Sequence, residues 1–215
     1  MKIVEPRCEI LFATPNPVDV VATAARTCYQ SEAKTDKADY ELVKRLISSG
    51  HHAMLEFASI TARFTTDRGV SHELVRHRLC SFAQESTRYC NYSGKDMEFI
   101  KPFTMVVENS SVNDDGFTPY ELWYGSVTDA EETYNAMLKA GCSPQIARSV
   151  LPNSLKTEIN VSANLREWRH IIALRTSPAA HPDMRHLMGL FMYELQYYVD
   201  HIVFFEDLYT GESHE

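Results

Sequence analysis

The chain has no C-x-x-C pair, no apolar run near the roughly 20 residues that cross a bilayer, and no excess of positive charge. Each absence excludes something. Cys8, Cys28, Cys80, Cys90 and Cys142 are scattered and odd in number, which suits free thiols in a reducing cytoplasm better than a disulfide framework. No membrane helix is expected. Residues 1–6 carry neither a long apolar core nor a small-residue cleavage site, so no secretory signal is expected either. A net charge of −8 opposes broad nucleic-acid binding, where phosphate contacts dominate affinity.

What is present is ordinary in bulk and uneven in detail. The 215 residues, 44% apolar and 23% charged, suit one domain over 1–215 or one subunit of an intertwined oligomer. Acidic residues collect at 108–132 and at the C-terminal end, while arginines cluster at 76–88 and 166–175. A basic pocket in an acidic protein suits a small anionic ligand.

Periodicity gives a coarse map with no internal repeat. Residues 2–13 alternate as a strand; 18–29 and 37–49 have helical spacing, the second stopped by Gly50. Residues 57–65 read as a strand, Asp67 can cap a helix to about Leu79, and 80–94 look irregular. A short strand is expected at 97–101, then a polar surface insertion at 106–120 with a turn at Asn113 to Gly116. Thr128 with Glu131 has capping-box spacing for a helix ending at Gly141, and Ser143 and Pro144 open a short helix ended by Pro152. A strand over 155–162 and helices over 164–175 and 183–207 complete an α+β fold: an antiparallel-containing sheet flanked by helices.

The chemistry concentrates at Arg76, His77 and Arg78, at or just past a helix end. Three such groups in sequence repel one another. They are tolerable as a solvated basic face or around an anion. The stretch that follows, 79–89, has too little apolar periodicity for a core helix but brings hydroxyls, an amide, a carboxylate and a guanidinium together. Such a loop can surround a phosphate with N–H groups and hydroxyls while Arg88 supplies a bidentate fork. Gln84 both donates and accepts, as reading a base edge requires.

The pattern R-H-R, seven residues, then Ser86, extended by Arg88 and Tyr89, resembles the signature of flavin-dependent thymidylate synthases. The resemblance continues in order through Ala25 and Arg26, Gly50 and His51, Glu56, Ala147 and Arg148, Leu151 and Pro152, Asn164 to Arg166, and Leu174 and Arg175. It implies an intertwined homotetramer that binds FAD and deoxyuridylate (dUMP), with NADPH and methylenetetrahydrofolate as co-substrates. It places Ala53, Glu56, Arg76, His77, Arg78, Gln84, Asn164, Arg166 and His170 at the flavin. It places Glu73, Arg76, Gln84, Glu85, Ser86, Thr87, Arg88, Arg148 and Arg175 at the nucleotide, with Arg175 polarising the uracil ring. Ser86 is read as a binder, since no base is evident to make it a nucleophile. The sequence departs from the commoner pattern at Cys28, Ala53, Glu73, Ala83, Thr87 and His170.

Blander readings stand beside these. His72, Glu73 and His77 form H-E-x-x-x-H, one residue too long for a helical zinc pair, so no metal is expected there. His51 and His52 suit a helix C-terminus, Trp168 suits packing, Arg169 a surface, and the aromatics of 191–205 a core or subunit interface. The acidic 212–215 end reads as solvated. A catalytically silent flavin- or nucleotide-binding module is the competing function.

Overall fold

Pro6 has no N–H to contribute to a ladder, and it divides the expected first strand in two: β1 (Lys2–Val4) and β2 (Arg7–Ala13). The computed structural model describes residues 1–28, 30–32, 35–90, 92, 94, 96–105 and 111–209. The acidic 212–215 end and 106–110 of the expected insertion lie outside the described residues. The chain forms two compact units, Met1–Arg7 with Thr65–Leu74 and Ala83–Ile159, and Cys8–Phe64 with Val75–Phe82 and Asn160–Glu215.

In the first unit, β1 pairs in parallel with β5 (Glu98–Ile100), Ile3 opposite Phe99. Helix α4 (Pro119–Lys139) packs over a core of Met97, Phe99, Val127, Tyr134, Ala147 and Leu155. Its capping box is Thr118 with Glu121, one helical stretch earlier than the spacing predicts. Thr128 lies inside the helix and donates to Tyr124 O at 2.8 Å. Glu131 instead accepts from Met97 N at 2.9 Å and faces the Met1 amine at 3.2 Å. Two boxes of the same spacing existed in the sequence; Pro119, ideal at the first helical position, marks the one used. The turn at Asn113 is as expected, its side chain accepting from Asp115 N and Phe117 N, and Gly116 takes φ 86°. Gly141 with φ 94° follows the end of α4, and Ser143 precedes α5 (Pro144–Ala147).

In the second unit α1 (Pro17–Thr27) and α2 (Asp36–Ser48) are joined by Arg26, whose Nε and Nη2 both donate to Asp39 Oδ1 at 2.8 and 2.6 Å. Gly50 with φ 72° ends α2, and a 3₁₀ turn that periodicity does not reveal covers His52–Phe57. After α6 (Leu165–Arg175), the expected helix over 183–207 is α7 (Pro182–Leu195) and α8 (Val199–Ile202), followed by a short 3₁₀ turn, Glu206–Leu208. Val203, Phe204 and Phe205 are all buried, and three consecutive apolar residues cannot all face inward from one straight amphipathic helix. Trp168 is fully buried against Phe64 and Phe191, its indole N–H donating to Ile60 O at 2.9 Å. Arg169, expected at the surface, is 8% exposed; its guanidinium donates to Phe204 O and to both carboxylate oxygens of Asp207.

A four-stranded sheet has the order β2, β3 (Ser59–Asp67), β6 (Lys156–Asn164), β4 (Ser81–Gln84). Thr61 bonds Ser162 and Arg63 bonds Asn160, so β3 and β6 run antiparallel. Thr14 bonds Ser59 and Glu9 faces Arg63, which makes β2 antiparallel to β3 as well. Strand β4 lies in the stretch expected to be irregular; its four residues are too few for alternation to register. Asp67 Oδ1 accepts from Val70 N at 2.8 Å and starts α3 (Arg68–Leu74), which ends before the basic triplet. No helix of the described residues is long and apolar enough to cross a membrane.

Thr118→Ala removes a reciprocal cap and is expected to cost about 1 kcal/mol, whereas Thr128→Ala stays within about 0.5 kcal/mol. Urea unfolding midpoints at unchanged slope read both values.

Candidate functional site

Each unit carries one constellation of the expected residues. In the second unit the organising element is α6. Asn164 is its N-cap, the side-chain oxygen accepting from Glu167 N at 2.9 Å, which leaves the amide NH2 for a ligand. Leu165, Trp168, Ile171 and Ile172 face the core. Arg166 and His170, four residues apart, share the exposed face. Arg166 Nη1 donates to Glu56 Oε1 at 2.6 Å. Glu56 and Ala53 sit three apart on the 3₁₀ turn, where side chains at that spacing eclipse, and both are exposed. The expected flavin residues on these two elements therefore present one exposed polar surface each.

The basic triplet supplies the rest. Arg76 and Arg78 are exposed while His77 between them is 6% exposed. Arg175, near the end of α6, donates from Nε to His77 Nε2 at 3.0 Å. His170 stands edge-on to the same imidazole, with ring centroids 5.9 Å apart. Burial, then the Arg175 charge, then His170 push the His77 pKa down to about 4. His77 is thus neutral near pH 7. Accepting at Nε2, it must carry its proton on Nδ1, which faces Glu167 Oε1 at 3.6 Å. That separation is a charge–dipole contact and not an ion pair, because the imidazole is uncharged.

Glu167 was not expected at the site. Asn164 and the helix start are legible in the sequence, but the burial of a carboxylate three residues on is not. His77, Glu167 and His170 bring one ligand atom each within 4.8 Å of one another, a spacing a transition metal could use. The His77 wiring opposes it. Nε2 is already an acceptor for Arg175, and Nδ1 must lose its proton before it can ligate. His72 and Glu73, the other members of the H-E-x-x-x-H pattern, lie on α3, His72 exposed and Glu73 half-buried. His51 is exposed, and it is His52 whose ring meets a helix-end carbonyl, Ile47 O at 3.3 Å.

In the first unit the expected nucleotide loop starts from β4 and folds into a tight turn. Gln84 Nε2 donates to Ser71 Oγ at 2.8 Å and Thr157 Oγ1 at 3.2 Å. Ser86 O accepts from Tyr89 N and Cys90 N, and Ser86 Oγ accepts from Arg88 N at 3.3 Å. Thr87 is buried, its hydroxyl accepting from Arg148 Nη1 at 3.0 Å. Arg88 and Arg148 are exposed, with the Arg88 guanidinium 5.5 Å from the centre of the Tyr89 ring. Two exposed guanidiniums beside this hydroxyl-bearing turn are chemically suited to an anion such as a phosphate. Glu85 does not project into solvent. Tyr92 donates to its Oε1 at 2.9 Å.

All five cysteines are free, and burial followed by Glu167 pushes Cys80 up to about 12, far from a nucleophile's range. A surface groove of about 470 Å³ lies elsewhere in the second unit, lined by Glu41, Lys44, Arg45, Glu206 and Asp207 among others, and it holds none of the expected residues.

The fold is α+β, with an arginine-flanked neutral histidine in one unit and a turn flanked by two exposed arginines in the other. Residues 9–199 match the family described as thymidylate synthase complementing protein. The flavin-dependent thymidylate synthase of Geobacter sulfurreducens is 33% identical over 186 residues, covering 83% of this chain and 77% of that protein. That of Thermococcus onnurineus is 32% identical over 182 residues, covering 80% and 71%. Thymidylate synthase X from Helicobacter pylori, solved with FAD and dUMP, superposes with a TM-score of 0.76 at 24% identity, covering 96% of this chain and all of that one. The chain belongs to the family of flavin-dependent thymidylate synthases.

Because His77 binds its proton more weakly folded than unfolded, the native state resists protonation between about pH 6.5 and 4. Stability from this group is complete above pH 6.5 and falls as the pH drops toward 4. Against His77→Gln, the native protein is expected to lose on the order of 2–3 kcal/mol more over that window. Parallel denaturation series at pH 7 and pH 4 measure the difference.

Proposed function

We infer that this chain converts deoxyuridylate to thymidylate by reductive methylation, with methylenetetrahydrofolate as one-carbon donor and NADPH as reductant. The observation that carries the reading is the Arg175 guanidinium held by a neutral, buried histidine within the family's basic triplet. A guanidinium so oriented stabilises negative charge developing on a uracil ring, and it does so without reorganising when charge appears. Arg175 is accordingly the catalytic residue.

The donor set fits FAD. Exposed Arg76, Arg78 and Arg166 suit a pyrophosphate, and neutral His77 with His170, Ala53, Glu56, Gln84 and the Asn164 amide suits the uncharged parts of the cofactor. Bound FAD supplies hydride-transfer chemistry that side chains lack. Nucleotide phosphate is assigned to Arg88, Arg148, Ser86 and Thr87. Arg76 and Gln84 contact both ligands, and Glu73 and Glu85 stand beside the nucleotide.

The working form is a homotetramer in the cytoplasm. Leu79, Phe57 and Phe12 are exposed at 78%, 63% and 54%, large apolar groups of the kind that assembly covers. Free cysteines agree with a reducing compartment.

The purified FAD-loaded protein is expected to release tritium from deoxyuridylate labelled at carbon 5, and to form thymidylate when folate and NADPH are added. Arg175→Ala should lower turnover by at least about 100-fold while deoxyuridylate still binds. A wild-type protein that binds both ligands without releasing tritium would be a silent binding module instead. Sedimentation equilibrium should give four times the chain mass.

A further inference from the structure

The carboxylate just before the phosphate-receiving turn is turned inward and fastened from several sides. Glu85 Oε1 accepts from Tyr92 OH at 2.9 Å, and Oε2 lies 3.6 Å from Lys156 Nζ. The backbone is fixed as well: Glu85 N donates to Glu158 O at 2.9 Å, and Arg68 Nη1 reaches Glu85 O at 3.5 Å. Tyr92 in turn stands edge-on to Tyr134, with ring centroids 6.1 Å apart, and Tyr134 is fully buried in the core of this unit. Glu85 thereby links the turn to the core.

Lys156 holds this link against repulsion. Its ammonium lies 3.0 Å from Glu158 and 3.6 Å from both Glu85 and Glu98, and its side chain is only 16% exposed. One positive charge among three carboxylates is the counter-charge that lets them approach. Without it, Glu85, 20% exposed, would face the like charges of the more exposed Glu98 and Glu158 and would move away, carrying Ser86 and Thr87 with it.

We propose that Tyr92 and Lys156 are positioning residues that act through Glu85 to preset the 84–90 turn for the phosphate of the nucleotide, so that they set the preference for a nucleoside monophosphate over the bare nucleoside. This rests on the reading of that turn as the deoxyuridylate phosphate site. It changes the part played by Glu85 from a side chain that touches substrate to the buried anchor of the residues that do.

The test uses the FAD-loaded protein titrated with deoxyuridylate and, separately, with deoxyuridine. Lys156→Met, which keeps most of the stem and removes the charge, should weaken deoxyuridylate binding and raise its KM by about ten-fold, with kcat within about two-fold of wild type. Deoxyuridine affinity should not change, and Lys156→Arg should recover most of the loss. Tyr92→Phe keeps the ring against Tyr134 and should produce a smaller loss with the same selectivity, which keeps the test available if Lys156→Met fails to fold. In a Glu85→Gln background, Lys156→Met should add little, because both changes cut the same link. Equal losses for nucleotide and nucleoside, or full additivity with Glu85→Gln, would overturn the proposal. Failure of wild type to bind deoxyuridylate at all would remove the underlying reading, a result distinct from wild type binding normally with the variants unchanged.

Discussion

The pairing of β3 with β6 is the constraint on which the rest depends. It joins residues about one hundred positions apart in sequence, as the Thr61–Ser162 and Arg63–Asn160 bonds show. Both strands alternate strictly in burial along most of their length, so a slip of one residue would turn both apolar sets outward. Register then sets where α3 and α6 begin. Arg68 N donates to Asn153 O and Leu155 O as α3 leaves β3, and Leu165 N donates to Ala58 O as α6 leaves β6. Each helix is started by the last residue of its strand, Asp67 and Asn164, acting as a side-chain cap. The residues that cap are also the residues that end a ladder, so strand register and helix position are one decision.

The arginines divide by what surrounds them. Arg26 and Arg169 are paired with carboxylates and hold elements together; Arg68 reaches the backbone and hydroxyl of its neighbours. Arg76, Arg78, Arg88 and Arg148 are exposed instead. In a chain of net charge −8, guanidiniums left at the surface beside turns of N–H groups are places where anions are favoured over the rest of the molecule. Arg26 belongs to the ordered family pattern in the sequence, yet its part is structural. Membership of a pattern does not separate a ligand contact from a clamp; the inward pairing of Arg26 with the buried Asp39 does, in contrast to the exposed Arg166–Glu56 pair.

Much of the fold was legible because strong local signals agreed. Gly50, Asp67, Gly141 and Pro144 each end or start an element where turn chemistry predicts, and Trp168 packs as expected. Two misreadings are local readings overruled by distant partners: Glu131 accepts from Met97 instead of capping, and Arg169 is drawn inward to Asp207. The other misreading is local, since the expected helix over 183–207 breaks where Val203, Phe204 and Phe205 are buried in succession. The site shows the same division. Motif spacing draws attention to Arg76 to Arg78 and to the turn at Ser86. It carries no information on which polar groups lie inward, so Glu167, Tyr92 and Lys156 left no signal.

That distinction matters most at His77. From sequence it is one of three positive or near-positive groups in a row, and the natural reading is a charged imidazole facing an anion. Burial reverses this. A cation in that place would lie against the Arg175 guanidinium with little water to screen it, so the proton stays off and the ring becomes an acceptor. The neutral ring can then aim Arg175, which a charged ring would repel. The same hydrogen bond competes with a metal at the neighbouring carboxylate and histidine, since the lone pair on Nε2 already serves the guanidinium. The triplet is two exposed cations flanking one neutral acceptor, and that acceptor holds Nε of the Arg175 guanidinium on which the proposed chemistry depends.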